Sequence, residues 1–474
     1  MSLSVECDLC IIGAGSAGLS VAAGAAQMGA RVVLIEKGRM GGDCLNTGCV
    51  PSKSLIAAAA AAHAIRTAGR FGVTGREPEI DFLRVHDHVQ GVIDAIAPHD
   101  SVERFEGLGV TVVQASARFT GPREIEAGGT RWRARRFVVA TGSAPAIAPI
   151  PGLAETPYLT NETIFELTAL PDHLVVVGGG PIGVEMAQAF RRLGAAATIL
   201  ENARILPKDD PDAVEVVRRR LLTEGVTIHE GAKVVGAARR GDGVAVTVEL
   251  DSGSIEIAGS HLLVAAGRRP SVEELDLDAA GIARTARGIT VDSRLRTSNK
   301  RVFAIGDVTG GLQFTHVAAH QAGIVIKNAL FRWPAKAETR AVPWVTYTDP
   351  ELAHVGLTEK AAGETDRGAR AVVFALAEID RARAERETEG FAKIVVGRRG
   401  RILGATIVGR SAGELILPWV LAIGQGLRIG AMAEVIAPYP TLSEVSKRAA
   451  GAFFAPKLFS PLTRRVVGLV QRFG

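Results

Sequence analysis

The sequence has no apolar run long enough to cross a bilayer, which argues against an integral membrane protein. Its first strand-like run, "CDLCIIGAG", begins almost at residue 1 and leaves no room for a signal peptide. A cytoplasmic location is therefore expected, and in a reducing compartment a permanent structural disulfide is not. No lysine and arginine run with interleaved aromatics marks a nucleic-acid groove, and a net charge of +5 over 474 residues is a mild bias. Cysteine is scarce, with four residues at 7, 10, 44 and 49. Histidine is absent beyond His354, where the last of the ten stands. What remains is 47% apolar and 22% charged, the balance of a globular enzyme with room for two or three domains.

Two segments share one grammar. "LCIIGAGSAGLSVAAGAAQMGARVVLIEKG" (9–38) and "LVVVGGGPIGVEMAQAFRRLGAAATILEN" (174–202) each read as apolar strand, GxGxxG turn, amphipathic helix, apolar strand and terminal glutamate. This is the βαβ dinucleotide fingerprint, and its duplication points to two nucleotide sites. Gly13 and Gly178 permit the tight turn, Gly15 and Gly180 let a pyrophosphate approach, and Gly18 and Gly183 let helix pack on strand. Glu36 and Glu201 are placed to accept hydrogen bonds from ribose hydroxyls.

Further strand–turn marks follow. "VVATGSAP" (138–145), with Thr141 and Gly142, is echoed by "LLVAAGRRP" (262–270), with Gly267. "RVFAIGDVTG" (301–310) sets Asp307 after Gly306 at a strand end, suited to a ribityl or ribose hydroxyl. The second βαβ unit is thus read as inserted into a first domain that resumes near residue 271, with an α+β domain from residue 342.

In "GGDCLNTGCVPSK" (41–53) two cysteines stand five positions apart, as metal ligands, a crosslink or a redox pair. Zinc is disfavoured, since two cysteines leave two ligands unsupplied, and no metal site is expected. Five residues of regular helix rise about 7.5 Å, whereas a disulfide wants its Cα atoms within about 7 Å. A bonded pair therefore needs an irregular segment, for which Asn46-Thr47-Gly48 is suitable chemistry. Pro51 fits the first turn of a helix over "SKSLIAAAAAAHAI", so Cys49 lies near a helix N-terminus, where a thiolate is favoured. Cys7 and Cys10, three apart on a strand, are expected on opposite faces as core residues.

Together these motifs resemble, over nearly the whole chain, the class I pyridine nucleotide–disulfide oxidoreductases, which include dihydrolipoamide dehydrogenase, glutathione reductase and mercuric reductase. Cys44-Leu45-Asn46-Thr47-Gly48-Cys49-Val50-Pro51-Ser52-Lys53 matches the redox motif. The resemblance implies an α/β fold of two Rossmann-like dinucleotide-binding domains plus a C-terminal α+β dimerisation domain. FAD would belong to residues 1–148 and 271–341, NAD to 149–270, and homodimer contacts to 342–474. It implies that Cys49 faces the flavin, that Cys44 is the interchange thiol, and that Glu185 pairs with Lys53 near the flavin ring. Glu201 argues for NADH over NADPH, because a carboxylate repels a 2′-phosphate; Arg204 is the nearby cation that could reach one.

One departure bears on chemistry. Lipoamide and glutathione members carry a His-Pro-Thr and a glutamate late in the chain, the partner subunit's histidine serving as base and acid. In "IAPYPTLSEVSKRAA" (436–450) Tyr439 stands at the histidine position, while Pro440, Thr441 and Glu444 match. A tyrosine, with a reference pKa of about 10, donates a proton at neutral pH but rarely abstracts one. The alternative is a buried aromatic beside a proline. Tyr439 resembles mercuric reductase, as do "DRARAERETEGFAKIVV" (380–396) and "AGEL" (412–415), yet no cysteine pair follows in "VVGLVQRFG". The expected activity is electron transfer through Cys44 and Cys49 to a disulfide or dithiol acceptor, with a thiol-bound metal ion as the alternative. A redox-sensing or membrane-docked flavoprotein is the third. In "SPLTRRVVGLVQRFG", Leu462, Val466, Leu469, Val470 and Phe473 share a helical face apart from Arg464, Arg465 and Arg472. Packing on a dimer is the preferred reading of that face, and weak membrane-surface contact the other.

Overall fold

Strand β1 (Ser4–Ile12) has Leu9, Cys10 and Ile11 wholly buried, so both of its faces carry core. That is the pattern of a parallel strand covered on both sides. It pairs in parallel with β2 (Val32–Glu36) and with Thr130–Val139. The computed structural model describes residues 4–473, in which two compact units group: residues up to Asn202 with Ile228–Glu338, and Ala203–Thr227 with residues from Thr339 onward.

In the first unit, β1 and β2 belong to a seven-stranded sheet running Val110–Gln114, β2, β1, Thr130–Val139, Glu124–Ala127, Ala117–Gly121, with Val302–Ala304 also pairing with Thr130–Val139. Helix α1 (Ser16–Gln27) lays Val21, Ala22 and Ala25 against Leu9 and Ile11, while Ile12, Phe137 and Val139 build the core of the other face. Small residues along α1 let helix and sheet approach closely. A second parallel sheet holds His173–Val177 between Ala196–Glu201 and His261–Val264, with Val226–Glu230 at its edge. Its helix, Pro181–Leu193, has proline at the first position, where the missing N–H costs nothing, and ends on Gly194 at φ 118°. The unit also holds an antiparallel ribbon of Lys233–Arg240, Gly243–Leu250 and Gly253–Gly259.

The second unit is built on a five-stranded antiparallel sheet ordered Pro343–Thr346, Glu351–Gly356, Ile402–Gly409, Phe391–Val396, Arg370–Ala375. Its core gathers around Trp419, wholly buried. Lys393 is buried too, its Nζ 2.8 and 2.9 Å from the Asp210 carboxylate oxygens and 2.5 Å from Asp212 Oδ2. Burial opposes its charge, but the hydrogen bonds it donates to Asp210 and Asp212 outweigh it and raise the lysine pKa. Asp210 also caps Pro211–Thr223, accepting from the Asp212 and Ala213 amides. His354 is sealed inside the sheet, its Nδ1 2.7 Å from Thr406 Oγ1, and burial depresses its pKa.

Two local expectations are corrected. Cys7 and Cys10 lie in the same buried cluster, not on opposite faces. The amides of Asp8 and Leu9 both donate to the Arg31 carbonyl, a local irregularity between the two cysteines where strict alternation fails. Burial, and then the Cys7 thiol, drive the Cys10 pKa up. The helix expected from Ser52 starts three residues earlier: α3 runs Cys49–Thr67, with Pro51 inside its first turn. No helix among the described residues is long and apolar enough to cross a membrane.

Candidate active site

The two glycine turns have the same internal geometry. Gly13 (φ 104°) and Gly178 (φ 115°) are left-handed, and a Cβ on either would stand 2.4 Å from a carbonyl oxygen, of Ala140 or Ala265. A Cβ on Gly18 or Gly183 would stand 1.9 Å from the carbonyl oxygen of the first glycine in its own motif. No side chain but glycine fits there without moving backbone. Glu36 Oε2 accepts from the Ala14 amide at 2.6 Å, and Glu201 Oε2 from the Gly179 amide at 2.7 Å. Each acid thereby ties its strand end to its glycine turn. Beside Gly180 no atom lies within 4 Å of a built Cβ, and Gly15 has only the Gly42 Cα, at 3.9 Å. Helix N-terminal backbone with no side chain over it fits the pyrophosphate of FAD at the first turn and of a nicotinamide dinucleotide at the second.

The cysteine loop docks directly on the first turn. Gly41 donates its amide to the Ala14 carbonyl at 2.9 Å and bridges to Gly15. A short helix α2 (Gly42–Asn46) carries Cys44, the chain breaks at Thr47 and Gly48, and Cys49 opens α3. The segment is irregular where the cysteine spacing requires it. Both cysteines are free thiols, Cys44 half-buried and Cys49 exposed, and they hydrogen-bond one another. That bond, assisted by Thr315 and the Lys53 charge, outweighs burial and brings Cys49 down to about 6. Its counterpart holds Cys44 well above the ordinary thiol range, with burial adding to the rise. Cys49 also lies 3.6 Å from Thr315 Oγ1.

A polar network holds the loop between the sulfurs. Asp43 Oδ1 accepts from Thr47 Oγ1 at 2.8 Å and from Asn161 Nδ2 at 2.9 Å, while Asn161 Nδ2 also reaches the Thr47 carbonyl at 3.2 Å. Arg268 places NH2 3.2 Å from Asp43 Oδ2 and donates Nε to Ser143 Oγ at 2.8 Å. Ser143 Oγ in turn donates to Asp307 Oδ2 at 2.7 Å. Burial pushes the Asp307 carboxyl up, and Ser143 and Arg268 oppose that rise. Strands Ser143–Pro145 and Arg268–Pro270 pair antiparallel, which brings these groups together. Thr141 and Gly142 lie beside this strand, Thr141 Oγ1 donating to the Ser271 carbonyl at 2.7 Å, and Gly142 adopts φ 69°. Gly267 (φ 135°) accepts at its carbonyl from Ala146, and the Gly306 amide donates to Gln321 Oε1 at 2.7 Å.

Lys53 on α3 and Glu185 on Pro181–Leu193 meet at 2.8 Å, with the carboxylate buried. In the second unit, Tyr439 is 68% exposed and its hydroxyl donates to Asp380 Oδ2 at 3.0 Å. Within the single chain, then, the ring is not buried. The Asp380 carboxylate raises the phenol pKa further. Glu444 is buried at the start of Glu444–Ala452, its Oε1 3.8 Å from Arg448. Arg204 is held on its own loop by weak contacts to the carbonyls of Pro207 and Asp209, at 3.3 and 3.4 Å.

Residues 7–322 match the family model described as pyridine nucleotide-disulphide oxidoreductase, and residues 342–450 match that family's dimerisation domain. The chain belongs to this oxidoreductase family. A mercuric reductase of Streptomyces lividans is 36% identical over 454 residues, spanning 94% of this chain and 96% of that protein. A dihydrolipoyl dehydrogenase of Thermus scotoductus is 36% identical over 457 residues, 94% of this chain and 97% of that protein. Among solved structures, LpdA from Mycobacterium tuberculosis aligns with a TM-score of 0.86 at 30% identity, covering 94% of this chain and 99% of that one. The HOCl-induced flavoprotein disulfide reductase RclA from Escherichia coli aligns at 0.84 and 30% identity, with coverages of 94% and 99%. As a pyridine nucleotide-disulphide oxidoreductase, the protein is an enzyme of a family that uses FAD and NAD(P)H, in an α/β fold with a dimerisation domain.

Several members of the network around the sulfurs were not singled out from sequence. Ser143 and Arg268 sit inside the repeated strand–turn stretches "VVATGSAP" and "LLVAAGRRP", whose echo was the available signal. Asp43 lies beside Cys44. Asn161 and Thr315 carry no local mark, and Asp380, the partner of Tyr439, opens the stretch "DRARAERETEGFAKIVV".

Proposed function

We propose that this chain is an NADH-preferring reductase that passes electron pairs through Cys44 and Cys49 to a disulfide acceptor, in the manner of a dihydrolipoamide-type member run toward reduction. The observation that carries this is a pair of free thiols, Cys44 and Cys49, in a loop docked on a dinucleotide turn, with the Cys49 pKa lowered and the Cys44 pKa raised. FAD, when bound, supplies the step that accepts hydride from the nicotinamide and delivers two electrons to a disulfide. The chain's own residues do the rest. Gly13, Gly15 and Gly18 with Glu36, Thr141, Gly142, Gly306 and Asp307 are proposed to hold FAD. Gly178, Gly180, Gly183, Glu201 and Gly267 are proposed to hold NADH. Lys53, held by Glu185 at 2.8 Å, stabilises the Cys49 thiolate. Cys44 is the interchange thiol. For each turnover one NADH and one proton reduce one acceptor disulfide to two thiols.

Tyr439 supports the reducing direction. Its phenol, biased toward the protonated form by Asp380, is suited to donate to a leaving thiolate and unsuited to abstract a proton from a dithiol. Glu444 is proposed to position that segment. Preference for NADH is supported by Glu201 and by the engagement of Arg204 with backbone carbonyls. The domain assignment of 1–148 and 271–341 to FAD, 149–270 to NAD and 342–474 to a homodimer interface belongs to the same reading.

The test is anaerobic titration of the yellow protein with NADH, followed by an acceptor panel. Uptake of a second reducing equivalent beyond the flavin, with two new titratable thiols, is expected. Uptake that stops at the flavin, or an unchanged second equivalent in Cys44→Ser, overturns the proposal. A second reading, reduction of a thiol-bound soft metal ion, is favoured by Tyr439, because a metal held by two thiolates needs no base at all. Turnover with mercuric ion but not with lipoamide or glutathione disulfide selects it. Very slow turnover with every acceptor, joined to redox-dependent capture of a protein, selects a sensing role.

A further inference from the structure

The helix Pro461–Val470 stands apart from the rest of its unit. Ser460 caps it, accepting from the Thr463 amide, and Thr463 Oγ1 reaches the Lys457 carbonyl. None of its residues is buried, and all but Thr463 are exposed. At 3.6 residues per turn, Leu462, Val466, Leu469 and Val470 fall within an arc of about 100°. Phe473, 85% exposed, continues that face in the turn that follows. Arg465 and Arg472 border the stripe on one side, and Arg464 and Gln471 lie on the opposite face. An apolar stripe of this kind left in water by a single chain calls for an occupant.

The charge pattern says which. From Val445 to the end of the sequence there is no aspartate or glutamate, while Lys447, Arg448, Lys457, Arg464, Arg465 and Arg472 are all cationic. The chain as a whole is nearly balanced, with 55 basic and 50 acidic residues, so this segment is a local departure. The helix itself lies beyond residue 450, where the match to the dimerisation domain ends. Exposed Phe454, Leu458 and Phe459 precede the helix and extend the apolar surface. A short amphipathic helix with arginines at its border and no acid is complementary to an anionic lipid surface, with the stripe entering the acyl boundary and the cations among the headgroups.

We propose that Pro461–Val470 is an in-plane membrane-surface anchor that docks the enzyme on anionic bilayers. The proposal is independent of which acceptor the enzyme reduces. The helix lies flat and does not span.

The test is co-sedimentation of the full-length, FAD-loaded protein with vesicles of phosphatidylcholine alone and with vesicles enriched in phosphatidylglycerol, at low and high salt. Binding only to the anionic vesicles, weakened by salt, is expected. Each removed border cation is expected to cost several-fold in partitioning, so Arg465→Glu with Arg472→Glu loses more than tenfold. Leu462→Asp with Leu469→Asp removes binding by the same measure. Both variants should keep FAD content and NADH oxidation, since these side chains are exposed. Equal binding to neutral vesicles, no binding, or full binding by the variants overturns the proposal. So does a change of sedimentation mass from dimer to monomer in the leucine variant, which assigns the stripe to a second copy of the chain.

Discussion

The two glycine turns are near copies in backbone, yet their surroundings differ. At both, the third glycine packs against the first at the same 1.9 Å test distance, and a terminal glutamate grips the turn amide. At the first, Gly41 and Gly42 of the cysteine loop clasp Gly15; a Cβ on Gly42 would stand 2.7 Å from the Gly15 Cα. At the second, nothing comparable approaches Gly180. One fold unit therefore serves two needs. A turn covered by its own chain suits a cofactor that stays, and an open turn suits a co-substrate that must leave in every cycle.

The largest effects should come from breaking the shared part. Gly18→Ala is expected to give colourless protein that does not take up FAD, and Gly183→Ala to stay yellow while its KM for NADH rises at least tenfold. Absorbance and steady-state kinetics read both, and symmetrical behaviour of the two variants would contradict the contrast drawn here. Next, Gly42→Ala, at φ 60° and against the Gly15 backbone, is expected to speed FAD dissociation about tenfold, with a strain of about 1–3 kcal/mol localised at the clasp. Gly180→Ala, with open space around it, should leave thermal stability within about 0.5 kcal/mol of the parent.

A smaller effect is expected at the sulfurs. The thiolate ultraviolet signal of the reduced protein should titrate near pH 6, and in Cys44→Ser it should move toward the ordinary thiol range, because the bond from Cys44 is the chief cause. The sign is fixed by the lowered Cys49 pKa: the ionised form is favoured in the fold, and that preference is lost as pH falls through about 6. Lys53→Met should raise the midpoint less, since its charge ranks behind the Cys44 and Thr315 bonds.

The glycine turns were legible because their requirements are local: a left-handed residue, a close packing point and an acid at the strand end all fall within one βαβ unit. The break between Cys44 and Cys49 was legible from geometry alone, as five residues of helix would part the sulfurs. The Asp43–Asn161 contact was not, because 118 positions separate the two and neither lies in a periodic pattern. The same holds for Lys393 and Asp210, 183 positions apart, whose pairing joins a strand to a helix cap. Cys7 and Cys10 were misplaced for the opposite reason. Strict alternation was assumed where the Asp8–Leu9 amides share one acceptor.

That shared burial gives the molecule a built-in gauge of its own integrity. One sulfur pair is stowed in the β-sheet interior, out of reach, while the other pair stays chemically available. A native, reduced sample should thus react with a thiol reagent at two of its four cysteines, and a sample that has lost its sheet at all four.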